Sequence, residues 1–147
     1  MPAVRVNRLT RAGWRIHRRI YGRFGLGTKI GSLRVLLLTT TGRRSGKART
    51  VALSFVDAAE GPVVIGSYAG EPRDPAWAHN LRVQPEVTVQ IGRDLWHGRS
   101  RELQGAERDS AARLFEAADP AYRVYQHRTS RRLPVFVLER TDRPSLP

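Results

Sequence analysis

The sequence contains no cysteine, which excludes disulfide bonds and thiolate metal sites. Its four histidines are widely separated and none is paired at ligand spacing, so no metal centre is predicted. No apolar run approaches the length of a membrane span. No apolar signal-peptide core follows the basic N-terminus, so a cytoplasmic protein is expected.

Acidic residues are also scarce: 13 Asp and Glu stand against 26 Lys and Arg, giving a net charge of +13. A field this positive attracts polyanions, such as nucleic acid, an anionic membrane surface or an acidic cofactor. Nucleic-acid binding would need aromatic residues interleaved with basic ones on a sheet face, and the sequence shows no such stripe. We therefore expect no specific nucleic-acid partner.

Residues 4–24 have the periodicity of an amphipathic helix, with Ile16 and Ile20 in its apolar stripe and arginines on the opposite side. Such a helix could lie on the inner face of an anionic membrane. Alternatively, it packs on its own domain or on a second subunit of a homodimer. A glycine-rich link follows, so residues 1–30 are predicted to be a separate helix and link.

From residue 33 onward the sequence indicates mainly strands. Six segments have strand character: 33–40, 47–56, 62–67, 87–91, 95–103 and 134–139. The last is apolar on both faces, which predicts a position in the middle of the structure. Six strands joined by short hairpins predict a small, mainly antiparallel barrel over residues 31–141. Residues 142–147 are predicted to be a frayed tail.

Helices interrupt this pattern, which makes the predicted fold class α+β. Asp74 and Pro75 resemble a cap residue followed by proline at the first helical position, and Pro85 ends that helix. A second helix is predicted at 106–118, and a short turn at 122–129. The apolar face of the second helix is predicted to comprise Ala111, Leu114, Phe115 and Ala118.

The turn between the first two strands has the composition of an anion receptor. Its two glycines, Gly42 and Gly46, would let the backbone bend and present N–H groups. Thr41 and Ser45 add hydroxyl groups. Positive charge comes from Arg43, Arg44, Lys47 and Arg49. A solvated hairpin turn is the alternative; a P-loop is excluded because the glycine spacing differs and no helix pattern follows.

Four blocks in order give the chain a resemblance to the deazaflavin-dependent nitroreductases, which are split β-barrel proteins, FMN-binding-like in fold, that bind coenzyme F420. These blocks are residues 38–46, Gly66-Ser67 with Gly70, residues 74–81 leading to Pro85, and residues 122–126 leading to Thr129 and 134–135. The resemblance implies coenzyme F420 as the cofactor. FMN, which other split barrels hold, is the alternative.

The resemblance also implies which residues form the site. The cofactor-binding positions are Arg43, Arg44, Ser45, Arg49, Thr50, Val51, Ala52, Leu53, Ser54, Ile65, Gly66, Ser67, Tyr68, Ala76, Trp77, Ala78, His79, Asn80 and Tyr122. The candidates for catalysis are the hydroxyls of Tyr122, Tyr125 and Ser67. Each has another interpretation: the two tyrosines, three residues apart, could be core residues, and Ser67 could be a simple strand-end hydroxyl.

The function implied by the resemblance is hydride transfer from reduced F420 to an activated C=C bond, a quinone or a nitro compound. Such a reaction asks the protein mainly to align the reactants and exclude water, so no catalytic triad or carboxylate pair is needed. The alternatives are a non-catalytic deazaflavin-binding protein and a protein associated with anionic membranes.

Overall fold

The computed structural model describes residues 29–30 and 33–142. The predicted N-terminal helix and residues 143–147 of the predicted tail lie outside the described residues. The strands are β1 (Lys29–Ile30), β2 (Leu33–Thr41), β3 (Ala48–Ala58), β4 (Gly61–Ile65), β5 (Glu86–Ile91), β6 (Asp94–Glu102) and β7 (Val135–Arg140). The helices are α1 (Ala76–Val83), α2 (Gly105–Ala118) and α3 (Ala121–His127), and a 3₁₀ turn spans Tyr68–Gly70. In the described part of the chain, no helix is both long and apolar enough to span a membrane.

The strands form one antiparallel sheet in the order β1-β2-β3-β4-β7-β6-β5. A further pairing of β2 with β5 closes the sheet, with Leu38 opposite Val89 at its centre. The six strands β2 to β7 are thereby joined into a barrel, as predicted. Closure removes most of the open edges that would otherwise expose unpaired backbone groups.

Strand β7 lies in the middle of the sheet, between β4 and β6. Its apolar residues alternate between two clusters: Phe136 and Leu138 join one, Val135 and Val137 the other. All four are at most 2% exposed. The prediction of a central strand from its two apolar faces is therefore confirmed, because each face meets a different part of the core.

The two clusters define the layers of the molecule. The first contains Leu36 and Leu38 of β2 together with Trp77 and Leu81 of α1. Helix α1 therefore packs against apolar residues of the barrel strands. Trp77 meets Phe136 edge-on, with ring centroids 5.7 Å apart. The second cluster packs α2 against the other face of β4 and β7, while residues of α3 border it.

The start of α1 differs from the prediction. The helix begins at Ala76, and Pro75 occupies the cap position with extended backbone (φ −65°, ψ 154°) and no side-chain cap hydrogen bond. The carboxylate of Asp74 binds Arg131 at 2.8 Å and Arg82 at 2.9 Å instead. Two guanidinium partners are stronger ligands for a carboxylate than helical N–H groups, so tertiary contacts displace the expected cap.

The buried face of α2 also differs. Leu114, predicted to be apolar core, is 48% exposed, whereas Ala112, Ala111 and Phe115 are buried. The contact face of this helix is therefore centred on Ala111, Ala112 and Phe115, and Leu114 falls at its rim.

The residues at both predicted ends of the barrel domain, near 30 and 141, are bonded to the barrel. Lys29 and Ile30 pair with Arg34 and Leu33, so a short strand precedes the barrel. At the other end, the Asp142 carboxylate accepts a hydrogen bond from the backbone N–H of His97 at 2.8 Å. The barrel thus extends by short anchored segments at both ends.

Candidate functional site

A cavity of about 710 Å³ lies among the turn after β2, strand β3, the segment after β4 and the start of α1. Its volume lies in the usual range for small-molecule and cofactor sites, roughly 300 to 1,000 Å³. Its walls are formed by Thr40, Gly42, Arg43, Arg44, Ser45, Arg49, Thr50, Val51, Leu53, Ile65, Gly66, Ser67, Tyr68, Pro75, Ala76, Trp77 and Asn80.

The turn after β2 is held by its own backbone. Gly42 N–H donates to the Lys47 carbonyl at 2.7 Å, and Gly46 N–H donates to the Gly42 carbonyl at 2.8 Å. Gly46 adopts φ +67°, which favours glycine. The N–H groups of Gly42 and Gly46 are therefore both bonded within the turn, so these two glycines shape its backbone.

Asn80 connects this turn to α1. Its Oδ1 accepts a hydrogen bond from the Arg43 N–H at 3.0 Å, and its Nδ2 donates to Thr40 Oγ1 at 3.1 Å. The residue is only 6% exposed. Asn80 therefore lines the cavity with its amide already engaged, and what it contributes is the position of the turn.

The cationic side chains at the turn are exposed, and none of them forms an ion pair with a described carboxylate. These residues are Arg43, Arg44, Lys47 and Arg49. Elsewhere, by contrast, arginines such as Arg82, Arg101 and Arg140 each contact at least two carboxylates. Positive charge is thus left uncompensated at the rim of the cavity, where an anionic ligand would be attracted.

A second part of the cavity wall comes from the segment after β4, where Gly66, Ser67 and Tyr68 line it. Arg131 holds this segment from behind. Its guanidinium donates to the carbonyl oxygens of Gly66 (3.0 Å), Ser67 (2.9 Å) and Glu71 (2.7 Å) as well as to Asp74. One planar side chain therefore fixes the wall segment together with Asp74, which stands two residues before α1.

The two predicted catalytic tyrosines lie outside this wall, on α3. Tyr122 packs against Phe115 with ring centroids 5.0 Å apart and against Tyr125 at 5.7 Å. Its phenol is hydrogen-bonded to Ser54. Burial raises the pKa of the Tyr122 phenol above its ordinary value of 10.0, while the Ser54 hydrogen bond acts in the opposite direction.

Helix α3 is nevertheless close to the cavity wall. A Cβ placed on Gly70 would lie 2.7 Å from both the Tyr125 carbonyl oxygen and the Arg128 Cβ. The 3₁₀ turn that contains Tyr68 therefore rests directly on the helix that carries Tyr122 and Tyr125. Their catalytic role remains a prediction.

Some of the remaining predicted binding positions line the cavity and others do not, depending on which face of a strand they occupy and on how deeply they are buried. Val51 and Leu53 line the cavity, whereas Ala52 and Ser54 do not, because neighbouring residues in a strand face opposite sides. Ala78 is fully buried in the core, and His79 is half-buried outside the cavity wall. Three wall residues were not predicted as binding residues: Thr40, Gly42 and Pro75. Gly42 and Pro75 directly precede predicted positions, Arg43 and Ala76, so adjacency was the available signal for these two; Thr40 has no such neighbour.

Comparison with known proteins identifies the family. A sequence profile of the F420H2-dependent quinone reductases matches residues 9–140. The chain belongs to this family. An F420H2-dependent quinone reductase of Mycobacterium tuberculosis (strain H37Rv) is 35% identical over 133 residues, covering 86% of this chain and 89% of the relative. A second, putative F420H2-dependent quinone reductase of that organism is 32% identical over 106 residues, covering 70% and 87%.

Two solved structures support the same family assignment. An F420H2-dependent reductase is 39% identical with a TM-score of 0.66, covering 71% of this chain and 93% of that one. A structure described as a domain-swapped dimer is 34% identical with a TM-score of 0.68, covering 88% and 98%. The predicted family, the split β-barrel, an F420-dependent oxidoreductase and coenzyme F420 as its cofactor are thus confirmed.

The cavity residues fit such a coenzyme. The resemblance implies a flat deazaflavin with a phosphate and an acidic tail, which requires an apolar wall and a nearby cationic rim. Val51, Leu53 and Trp77 supply apolar surface. Arg43, Arg44 and their neighbours supply the positive charge, free of described carboxylate partners.

Proposed function

We propose that this protein is a reductase that uses coenzyme F420 to reduce a quinone to the hydroquinone. The observation that carries the proposal is the uncompensated cationic turn at the rim of a cavity with an apolar wall. Its relatives are named as quinone reductases, which supports a quinone among the acceptor classes considered.

The reaction divides between the cofactor and the chain. When bound, the reduced deazaflavin supplies the hydride, and the quinone gains that hydride and a proton to give the hydroquinone. Arg43 and Arg44 would hold the anionic part of the coenzyme. Val51, Leu53 and Trp77 would present an apolar surface that excludes water from the reacting groups.

Three hydroxyls remain candidates for hydrogen bonding to the acceptor's carbonyl oxygen. Ser67 is the best placed, because it lines the cavity and Arg131 fixes its carbonyl group. Tyr122 is a neutral phenol at neutral pH, and burial raises its pKa further, so it could act only as a neutral donor or acceptor. Tyr125 stands beside the turn that carries Tyr68.

The double variant Arg43→Ala/Arg44→Ala tests the proposal. Charge-assisted hydrogen bonds contribute about 1.5 to 3 kcal/mol each, so coenzyme affinity should fall by at least about tenfold. Binding would be followed by the change in coenzyme fluorescence, and turnover with menadione by absorbance. The control is Arg93→Ala/Arg113→Ala, which removes two exposed arginines outside the cavity wall. Unchanged coenzyme affinity in the first variant would contradict the proposal, as would a wild-type protein that cannot reduce menadione.

We also propose peripheral association with an anionic membrane, in keeping with the charge and the apolar stripe read from residues 4–24. The test is Ile16→Asp/Ile20→Asp in the full-length chain. Wild-type protein should co-sediment with phosphatidylglycerol vesicles at low salt and the variant should not. Equal sedimentation of both would remove this proposal while leaving the reductase untouched.

A homodimer is proposed as well, supported by the related structure described as a domain-swapped dimer. Sedimentation velocity of the full-length protein at several concentrations would distinguish a dimer from a monomer.

A further inference from the structure

The cavity wall after β4 contains an unusual run of backbone conformations. Tyr68, Ala69 and Gly70 have φ values of 42°, 50° and 78° in succession. Only the last is a glycine. A non-glycine residue in this left-handed region costs on the order of 1 kcal/mol, and such residues persist where surrounding contacts fix them.

Those contacts are present on both sides of the turn. Before it, Arg131 binds the carbonyl groups of Gly66 and Ser67, and after it the carbonyl group of Glu71. Behind it, Gly70 lies so close to α3 that no side chain would fit. The left-handed turn is therefore imposed by the fold around it.

This imposed turn determines where Tyr68 stands. Tyr68 lines the cavity and yet is 49% exposed, which places it at the rim. In the described part of the chain, its hydroxyl forms no hydrogen bond. The fold thus uses an unfavourable backbone conformation to keep a large aromatic residue beside the cavity without burying it in the core.

We propose that Tyr68 is a specificity-determining residue that packs against the ring of an aromatic acceptor. This inference rests on the proposed quinone reductase function and adds the acceptor's contact residue. An aromatic side chain gains about 0.5 to 1.5 kcal/mol from a suitably oriented ring partner beyond the area buried. Tyr68 belongs to a different segment of the cavity wall from the cationic turn, whose positive charge suits the anionic coenzyme.

The experiment compares Tyr68→Asn and Tyr68→Phe in the full-length protein. Asparagine tolerates the left-handed backbone, so it removes the ring without adding strain. With menadione as the acceptor, Tyr68→Asn should raise KM about 3- to 10-fold. The resemblance places Tyr68 among the cofactor-binding positions, so the dissociation constant of F420 is measured in parallel. A rise in that constant as large as the rise in KM would assign the ring to the coenzyme and overturn the inference. Tyr68→Phe should retain the wild-type KM, because the ring is kept.

Leu114→Ala is the matched control, since Leu114 is as exposed as Tyr68 but lies on α2, away from this cavity. An unchanged menadione KM in Tyr68→Asn would overturn the inference, and so would an equal rise in the Leu114 variant. Menadione binding to the protein loaded with oxidised F420, measured by calorimetry, gives a readout that needs no turnover. If wild type binds menadione without reducing it, the reductase proposal fails, while weaker binding by Tyr68→Asn would still support the contact.

Discussion

The Asn80 amide accepts the backbone N–H of Arg43 at 3.0 Å and donates to Thr40 Oγ1 at 3.1 Å, which joins helix α1 to the cationic turn. Both bonds cross from one wall of the cavity to another. The position of the turn therefore depends on a residue 37 positions away in the sequence.

Asn80→Ala should leave a buried hydroxyl and a backbone N–H without their partner. Each such group costs about 1 to 3 kcal/mol, so the free energy of unfolding should fall by at least about 1 kcal/mol. F420 affinity should fall with it, because the turn is no longer held. Urea unfolding and coenzyme titration would measure the two effects. Val83→Ala, at an exposed position of the same helix, should change neither; full affinity in Asn80→Ala would argue against this positioning role.

Arg131→Ala should be far more costly than removal of an exposed arginine. Its side chain is 13% exposed and its partner Asp74 17%, so the substitution removes one of the two guanidinium partners of a largely buried carboxylate and leaves several carbonyl groups unpaired. We expect a loss of about 3 kcal/mol in unfolding free energy.

The matched comparison is Arg99→Ala. Arg99 pairs with Glu86, but their side chains are 61% and 58% exposed, so solvent screens the pair. Its removal should cost less than about 1 kcal/mol. Chemical denaturation of both variants at one pH is sufficient, and similar losses would be inconsistent with a clamping role for Arg131.

Gly70→Ala and Gly92→Ala separate backbone strain from close packing. Both glycines have positive φ, 78° and 59° respectively. A Cβ at Gly92 meets nothing within 4 Å, whereas one at Gly70 would lie 2.7 Å from the Tyr125 carbonyl oxygen. Gly92→Ala should cost about 1 kcal/mol, and Gly70→Ala at least about 2 kcal/mol more because α3 must move. Thermal denaturation would show the difference; equal shifts would mean that α3 yields easily.

Stability at alkaline pH should depend on Tyr122. Burial raises the pKa of its phenol above the ordinary 10.0 that applies to the unfolded chain. Below pH 10 the phenol is neutral in both states, and its contribution is constant. As the pH rises above that value, the unfolded state ionises first, so the contribution is lost. Tyr122→Phe should lose this alkaline component, which unfolding free energies from pH 8 to 11.5 would reveal; parallel curves would contradict it.

The strands were largely predictable because each is a short run of apolar or alternating residues bounded by turn residues next to it in the sequence. The hairpin turns at residues 42–46 and 92–94 contain glycines with positive φ, and the two apolar faces of β7 predicted its central place. Closure of the barrel depends instead on the pairing of β2 with β5, strands about 50 residues apart. The periodicity of a strand does not indicate which other strand it pairs with.

The sequence predicted which segments form the site better than it predicted what each side chain does there. The cationic turn and the segment after β4 do face one cavity. The hydrogen bonds from the Asn80 amide to the cationic turn and to Thr40 were not predicted, and Asp74 was expected to cap a helix that it does not cap. In both cases a partner far along the chain decides the role, and no local pattern encodes it.

Two parts of the cavity wall come from different connections: the cationic turn follows β2, whereas the Tyr68 turn follows β4. Under the proposed role of Tyr68, substitutions in the second turn would change which electron acceptors bind and would leave the coenzyme contacts of the first turn in place. A scaffold divided in this way lends itself to diversification, because one half can stay constant across many enzymes while the other is exchanged.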